Sequence, residues 1–172
     1  AAIRPDNPEY IAVMENEITH IKRSVLLGQI MRGYKDPVAI SGTHGKTTTT
    51  SMISEIMMAA GTDPTLSIGG ILDSIGGNVR IGNSQYFAAE ACEYTNSFLD
   101  MFPGIGIILD IDADHLDFFK DLDDIRRSFR KFAQLIPADG ALIINTQIPD
   151  YEEISGGLDC RVILYGPDDS AD

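Results

Sequence analysis

The chain has 172 residues, 44% apolar and 23% charged, which suits one globular domain with a substantial core. A formal net charge of −13 argues against nucleic-acid binding, whose usual footprint is a basic patch, but not against a polyphosphate ligand. No stretch approaches a membrane span, and no basic region followed by an apolar run opens the chain, so the expected location is cytoplasmic.

Residues 1–35 read as a lead-in. Asn7-Pro8-Glu9 marks a turn, and Ile18, Ile21, Val25, Leu26 and Ile30 recur at helical spacing until Gly33. Pro37-Val38-Ala39-Ile40-Ser41 is a short apolar run that reads as a strand. A glycine-containing loop follows, and then Met52, Ile53, Ile56, Met57 and Ala60 mark one face of a helix closed by Gly61. The glycine-rich stretch from Leu66 to Gly82 suggests short strands or a hairpin. Gln85–Glu90 and Ile105–Ile111 read as buried strands, the second with the unbroken apolar run typical of a parallel sheet. Asp121 is placed to cap a helix whose face is Leu122, Ile125, Phe129, Phe132 and Ile136, ended by Pro137. Residues 141–145 and 161–165 are two further strands. The acidic run from Gly166 to Asp172 reads as a solvated, mobile end. Cys92 and Cys160 lie far apart in no metal-ligand spacing and read as free thiols, buried or half-buried. Strands alternating with helices predict an α/β domain with a mainly parallel sheet flanked by helices.

Gly42-Thr43-His44-Gly45-Lys46-Thr47-Thr48 joins a predicted strand to a predicted helix. Glycines there let several backbone N–H groups point at one anion, and the helix presents its positive end to the same anion. Lys46 offers an ammonium for the β- and γ-phosphates, and the Thr47 hydroxyl is suited to Mg²⁺. The loop is a short version of the usual phosphate-binding pattern, with only Thr43 and His44 between its glycines. Glu90 ends one strand, and Asp112-Ala113-Asp114-His115 follows another, so both belong at the carboxyl edge of the sheet where ligands bind. A strand-end carboxylate such as Glu90 suits Mg²⁺, which prefers hard oxygen donors. Spacing alone leaves His115 equally open to metal ligation, structural hydrogen bonding or solvation. Asp112, Asp114 and Asp117 suit capping and a solvated face. Glu93 and Tyr94 either touch a second substrate or cap the turn.

Four strings in this order resemble the Mur ligase family: the loop 42–50, Ile68-Gly69-Gly70, Ala89-Glu90-Ala91-Cys92-Glu93-Tyr94, and Ile111-Asp112-Ala113-Asp114-His115-Leu116-Asp117. The resemblance runs from about Asp6 to Tyr165. It implies a P-loop-type, ATP-binding central domain over residues 36–172, incomplete at its end, with residues 1–35 the tail of an N-terminal UDP-binding domain and no C-terminal domain. The last two strings favour the family member that joins L-alanine to UDP-N-acetylmuramate over the murein-tripeptide ligase. The implied reaction forms an acyl phosphate at the expense of ATP, with Mg²⁺, during peptidoglycan precursor synthesis. By the resemblance, residues 42–48 hold the nucleotide, Thr47 and Glu90 a first Mg²⁺, and His115 a second, with Lys46, Glu90 and His115 catalytic. A chain without the flanking domains is then expected not to complete the ligation alone. The runner-up is a P-loop kinase or NTPase with another acceptor, against which the shortened loop and the Glu90 and His115 strings count. Where most relatives carry Thr-Asn before the Ile-Asp-Ala-Asp-His string, this chain has Leu109-Asp110, an added carboxylate near the site.

Overall fold

The computed structural model describes residues 3–167. Its centre is a seven-stranded sheet in the order β3-β2-β4-β1-β5-β6-β7. These are β1 (Asp36–Ser41), β2 (Thr65–Leu72), β3 (Gly77–Arg80), β4 (Tyr86–Glu90), β5 (Ile105–Ile108), β6 (Ala141–Asn145) and β7 (Arg161–Tyr165). All pairings are parallel except β2 with β3. The glycine-rich stretch is therefore the expected hairpin. Asp63 pins its base by accepting from Arg80 and from the amide of Asn83. The Arg80 hydrogen bond, followed by those from Asn83, holds the Asp63 carboxyl down to about 2. Because that value is depressed, the contribution is present above the ordinary carboxylate range and is lost as pH falls towards 2.

Helices cover both faces of the sheet. On one, α3 (Lys46–Ala59) lies against β1, β2 and β4, over Leu66, Ile68 and Ala88. The sequence pattern places the inner face of α3 only in part: Met57 packs against the core and Ile53 is half-buried, but Ala60 is exposed. Met52 and Ile56 are exposed, while Thr50 and Ser54 are fully buried. In the first turns after the glycine loop it is the small Thr50 and Ser54 that fill the space against the sheet, while Met57 and Met58 pack further along. Ser54 meets its hydrogen-bonding need locally, donating to the Thr50 carbonyl at 2.7 Å.

The opposite face carries the larger core. Here α4 (Leu122–Ala133) buries Ile125, Phe129 and Phe132, as its periodicity predicts, while Leu122 is exposed. Asp121 caps it, accepting from the Asp124 amide at 2.8 Å. Phe98, from a 3₁₀ segment over Tyr94–Asp100, stacks on Phe132 at 4.9 Å and meets Phe129 edge-on at 5.3 Å. A short helix α5 (Glu152–Ser155) adds Ile154.

Three other expectations are corrected. The lead-in is not one helix from Ile18 to Ile30 but two, α1 (Pro8–Glu15) and α2 (Arg23–Met31). Asn7 caps the first and Glu17 takes φ 54°, which ends it, and Ile18, Ile21, Leu26 and Ile30 are exposed. Strand β5 stops at Ile108 rather than Ile111, because the chain then turns to pair with the glycine loop. Cys160 is buried but Cys92 is exposed, and both are free. The acidic run 168–172 lies outside the described residues.

Candidate nucleotide site

Strand order places the chemistry. β1 lies between β4 and β5, with Ile40 level with Glu90 and Ser41 level with Ile108. The carboxyl ends of these three neighbours therefore deliver the glycine loop, Glu90 and the 109–115 loop to one edge. Gly42 (φ 144°) and Gly45 (φ 77°) adopt backbone that other residues rarely enter, and Gly45 is the N-cap of α3. The first turn of a helix has no internal acceptors for its amides, so those of Lys46, Thr47 and Thr48 face the loop's mouth as an anion site.

The 109–112 segment braces this loop from below. Leu109 N–H donates to the Ser41 carbonyl at 3.0 Å and Thr43 N–H to the Asp110 carbonyl at 3.3 Å. The Asp112 amide donates to Thr43 Oγ1 at 2.9 Å. Asp110, the departure noted above, accepts the His44 amide at 2.9 Å. Its carboxylate stabilises the loop's backbone and takes one N–H that would otherwise point at an anion. His44 itself is solvated, with Nε2 4.0 Å from an exposed Asp112.

Thr47 Oγ1 donates to Glu90 Oε2 at 3.1 Å, and the other Glu90 oxygen accepts the Gly69 amide at 2.5 Å. A Cβ on Gly69 would lie 2.5 Å from that carboxylate, so only glycine lets β2 approach it. Two adjacent oxygen ligands on an octahedral Mg²⁺ sit about 2.9 Å apart, since its bonds are about 2.0–2.1 Å long. The Thr47–Glu90 pair therefore fits one edge of such a shell. Among the described residues no group of three or more His, Cys, Asp or Glu side chains forms a metal cage.

Lys46 does not face outward. Its ammonium donates to the Gly42 carbonyl at 2.6 Å, the Thr43 carbonyl at 3.0 Å and Glu93 Oε1 at 3.2 Å. Glu93 is only 2% exposed, and His115 Nε2 stands 3.6 Å from its Oε1. His115 has φ 53°, with its amide donating to Asp114 at 2.6 Å and its ring lying 4.5 Å from the Tyr94 ring. Tyr94 donates its hydroxyl to Asp117 at 2.7 Å, and that acceptor raises the phenol's pKa. The structure thus pairs Thr47 with Glu90, and Lys46 with His115 through Glu93. Glu93 is the residue that sequence reasoning left open. Only its position three residues beyond Glu90, in the turn after a strand, hinted at a place here.

A mainly parallel sheet with a glycine loop running into a helix defines a P-loop-type α/β fold. The chain belongs to the Mur ligase family: the Mur ligase middle domain model matches residues 40–172. It is 60% identical over 168 residues to UDP-N-acetylmuramate–L-alanine ligase of Lachnospira eligens, covering 98% of this chain and 37% of that protein. It is 58% identical to the ligase of the same name from Agathobacter rectalis, over 100% of this chain and 38% of the relative. The chain therefore spans little more than a third of these relatives' length. Among solved structures it matches UDP-N-acetylmuramate-alanine ligase from Thermotoga maritima with a TM-score of 0.81 at 26% identity, covering 96% of this chain and 37% of that one. UDP-N-acetylmuramate:L-alanyl-gamma-D-glutamyl-meso-diaminopimelate ligase from Neisseria meningitides shares the fold with a TM-score of 0.85 at 23% identity, over 95% and 56% of the two chains.

Proposed function

We propose that this domain binds Mg-ATP, and that the protein it belongs to joins L-alanine to the carboxylate of UDP-N-acetylmuramate in peptidoglycan precursor synthesis. The observation that carries the reading is the gathering of Lys46, Thr47 and Glu90 around one glycine loop in a chain 60% identical to a ligase of that name. Among the described residues no helix is long and apolar enough to cross a membrane.

In this reading the loop of residues 42–48 holds the phosphates, chiefly through the amides of Lys46, Thr47 and Thr48, and Lys46 neutralises charge on the β- and γ-phosphates. Thr47 and Glu90 hold a first Mg²⁺, and His115 takes part in a second. The bound metal supplies charge neutralisation around the transferring phosphoryl group. The muramate carboxylate attacks the γ-phosphorus, ADP leaves, and an acyl phosphate forms. The alanine amine then adds to the acyl carbon, phosphate departs, and an amide remains. The full-length protein, given ATP, Mg²⁺, UDP-N-acetylmuramate and L-alanine, should form the amide product by mass spectrometry. Product from a murein tripeptide but not from L-alanine would replace this substrate reading.

Glu90→Ala should weaken ADP binding in Mg²⁺ by about tenfold or more, the effect of losing one contact to a charged group. Binding in EDTA should change much less. Calorimetric titrations under both conditions test this. An equal loss in the two would make Glu90 a structural anchor for Gly69 instead.

A further inference from the structure

We propose that Glu93 is a positioning residue for the loop lysine, holding the Lys46 ammonium folded inward until phosphate arrives and then releasing it. The inference rests on the nucleotide reading above and assigns a role to a residue which that reading leaves without one.

An ammonium has three N–H donors. Gly42 O, Thr43 O and Glu93 Oε1 accept all three, at 2.6, 3.0 and 3.2 Å. A phosphate therefore cannot gain Lys46 without displacing one of these partners. Two are neutral carbonyls; only Glu93 opposes the transfer with charge, and its second oxygen also lies 3.0 Å from Nζ. That oxygen, Oε2, is buried and has no hydrogen bond of good geometry, so the carboxylate is held close to the ammonium without being fully satisfied by it.

The surroundings keep Glu93 turned inward. The Asn96 amide donates to the Glu93 carbonyl at 2.9 Å, and Thr95 and Asn96 both take left-handed backbone, at φ 55° and 58°. Consecutive non-glycine residues in that region are uncommon and must be held there by their setting. Ser128 of α4 does so by donating to the Asn96 side chain. On release of Lys46, and with no metal on His115, the carboxylate is not stranded, because His115 Nε2 stands 3.6 Å away on a ring packed against Tyr94. A small side-chain shift brings that pair into hydrogen-bonding range. Glu93 thus has one partner before phosphate binds and another after.

The test is Glu93→Gln, which keeps the shape and removes the charge. ADP and inorganic pyrophosphate are titrated in EDTA by calorimetry, with melting temperatures measured without ligand. Glu93→Gln should bind both about fivefold more tightly, as expected when a charge-assisted hydrogen bond to the lysine becomes a neutral one. In a Lys46→Ala background the gain should fall to about twofold or less, leaving only general repulsion between carboxylate and phosphate. The change should also lower the melting temperature of the wild type and raise that of Lys46→Ala, where the buried carboxylate has lost its cation. An equal gain in both backgrounds, or weaker binding by Glu93→Gln, would overturn the proposal. Glu93→Asp, which draws the carboxylate back by one methylene, should shift affinity in the same direction by less; no shift from it would count against the latch. Wild-type protein that binds neither ADP nor pyrophosphate would refute the nucleotide reading itself, a different result from binding that is indifferent to Glu93.

Discussion

Lys46→Ala will lower ADP affinity by about 100-fold, close to 2.7 kcal/mol, the upper end expected for losing an ammonium's charge-assisted contact with the β-phosphate. Lys46 is the loop's only side-chain cation apart from the solvated His44. The backbone amides and the helix end remain, so binding should weaken rather than vanish. A second consequence follows from burial. Glu93 is 2% exposed, and without Lys46 its carboxylate keeps only His115 nearby, at 3.6 Å. Breaking a buried ion pair from one side costs about 3–5 kcal/mol when nothing replaces the partner, and His115 should hold the loss below that. The variant should therefore melt earlier as well as bind less. Circular dichroism at the titration temperature separates the two effects. Unchanged affinity in folded Lys46→Ala would remove the lysine from the phosphate site.

Phe98→Ala should be the most destabilising of the substitutions considered, by about 3–5 kcal/mol. Phe98 is fully buried and loses both ring contacts at once, the stack on Phe132 and the edge-on contact with Phe129. In a domain of this size the melting temperature should fall by about 6–20 °C, at about 2–4 °C per kcal/mol. The same ring anchors the 3₁₀ segment that follows Glu93, its amide donating to the Cys92 carbonyl at 2.9 Å. The cavity should therefore loosen the turn carrying Glu93 and Tyr94 and reduce ADP affinity even below the new melting point. Phe98→Leu, which keeps most of the volume, should lose much less. A fall of under about 2 °C for Phe98→Ala would mean that the core on this face closes up around the gap.

Much of this fold was legible in the sequence because local signals and tertiary structure agree. The apolar runs at 37–41 and 141–145, the Asp121 cap and the spacing of Ile125, Phe129 and Phe132 each point to one element, and each element formed. The failures have a common cause. Met52 and Ile56 look like a helix face, but how close α3 comes to the sheet is set by packing, which favours Thr50 and Ser54 inside. Residues 109–111 look like strand, but beyond Leu109, which still pairs with Ser41, the backbone bonds to the glycine loop at Thr43 instead of continuing the ladder. The lead-in isoleucines keep helical spacing, but Ile18 and Ile21 fall in the irregular segment between α1 and α2, and only Val25, Leu26 and Ile30 lie in α2.

The site divides in the same way. Lys46, Thr47 and Glu90 stand out in sequence because a glycine loop and a strand end impose their positions. Glu93 does not, because what assigns its role is the fold of the turn that aims it at Lys46 and His115. An acid three residues beyond Glu90 carries no such direction by itself.

The central claim is that residues 42–48 hold the phosphates of a nucleotide. The most direct measurement is titration of the isotopically labelled protein with ADP and Mg²⁺, followed by backbone amide NMR. The account predicts saturable one-to-one binding below about 1 mM, where the binding free energy exceeds about 4 kcal/mol. The largest shifts should fall on the amides of residues 42–48, with smaller ones at Gly69, Glu90 and His115. A folded protein whose amides do not move at that concentration, or move only away from the glycine loop, would contradict it.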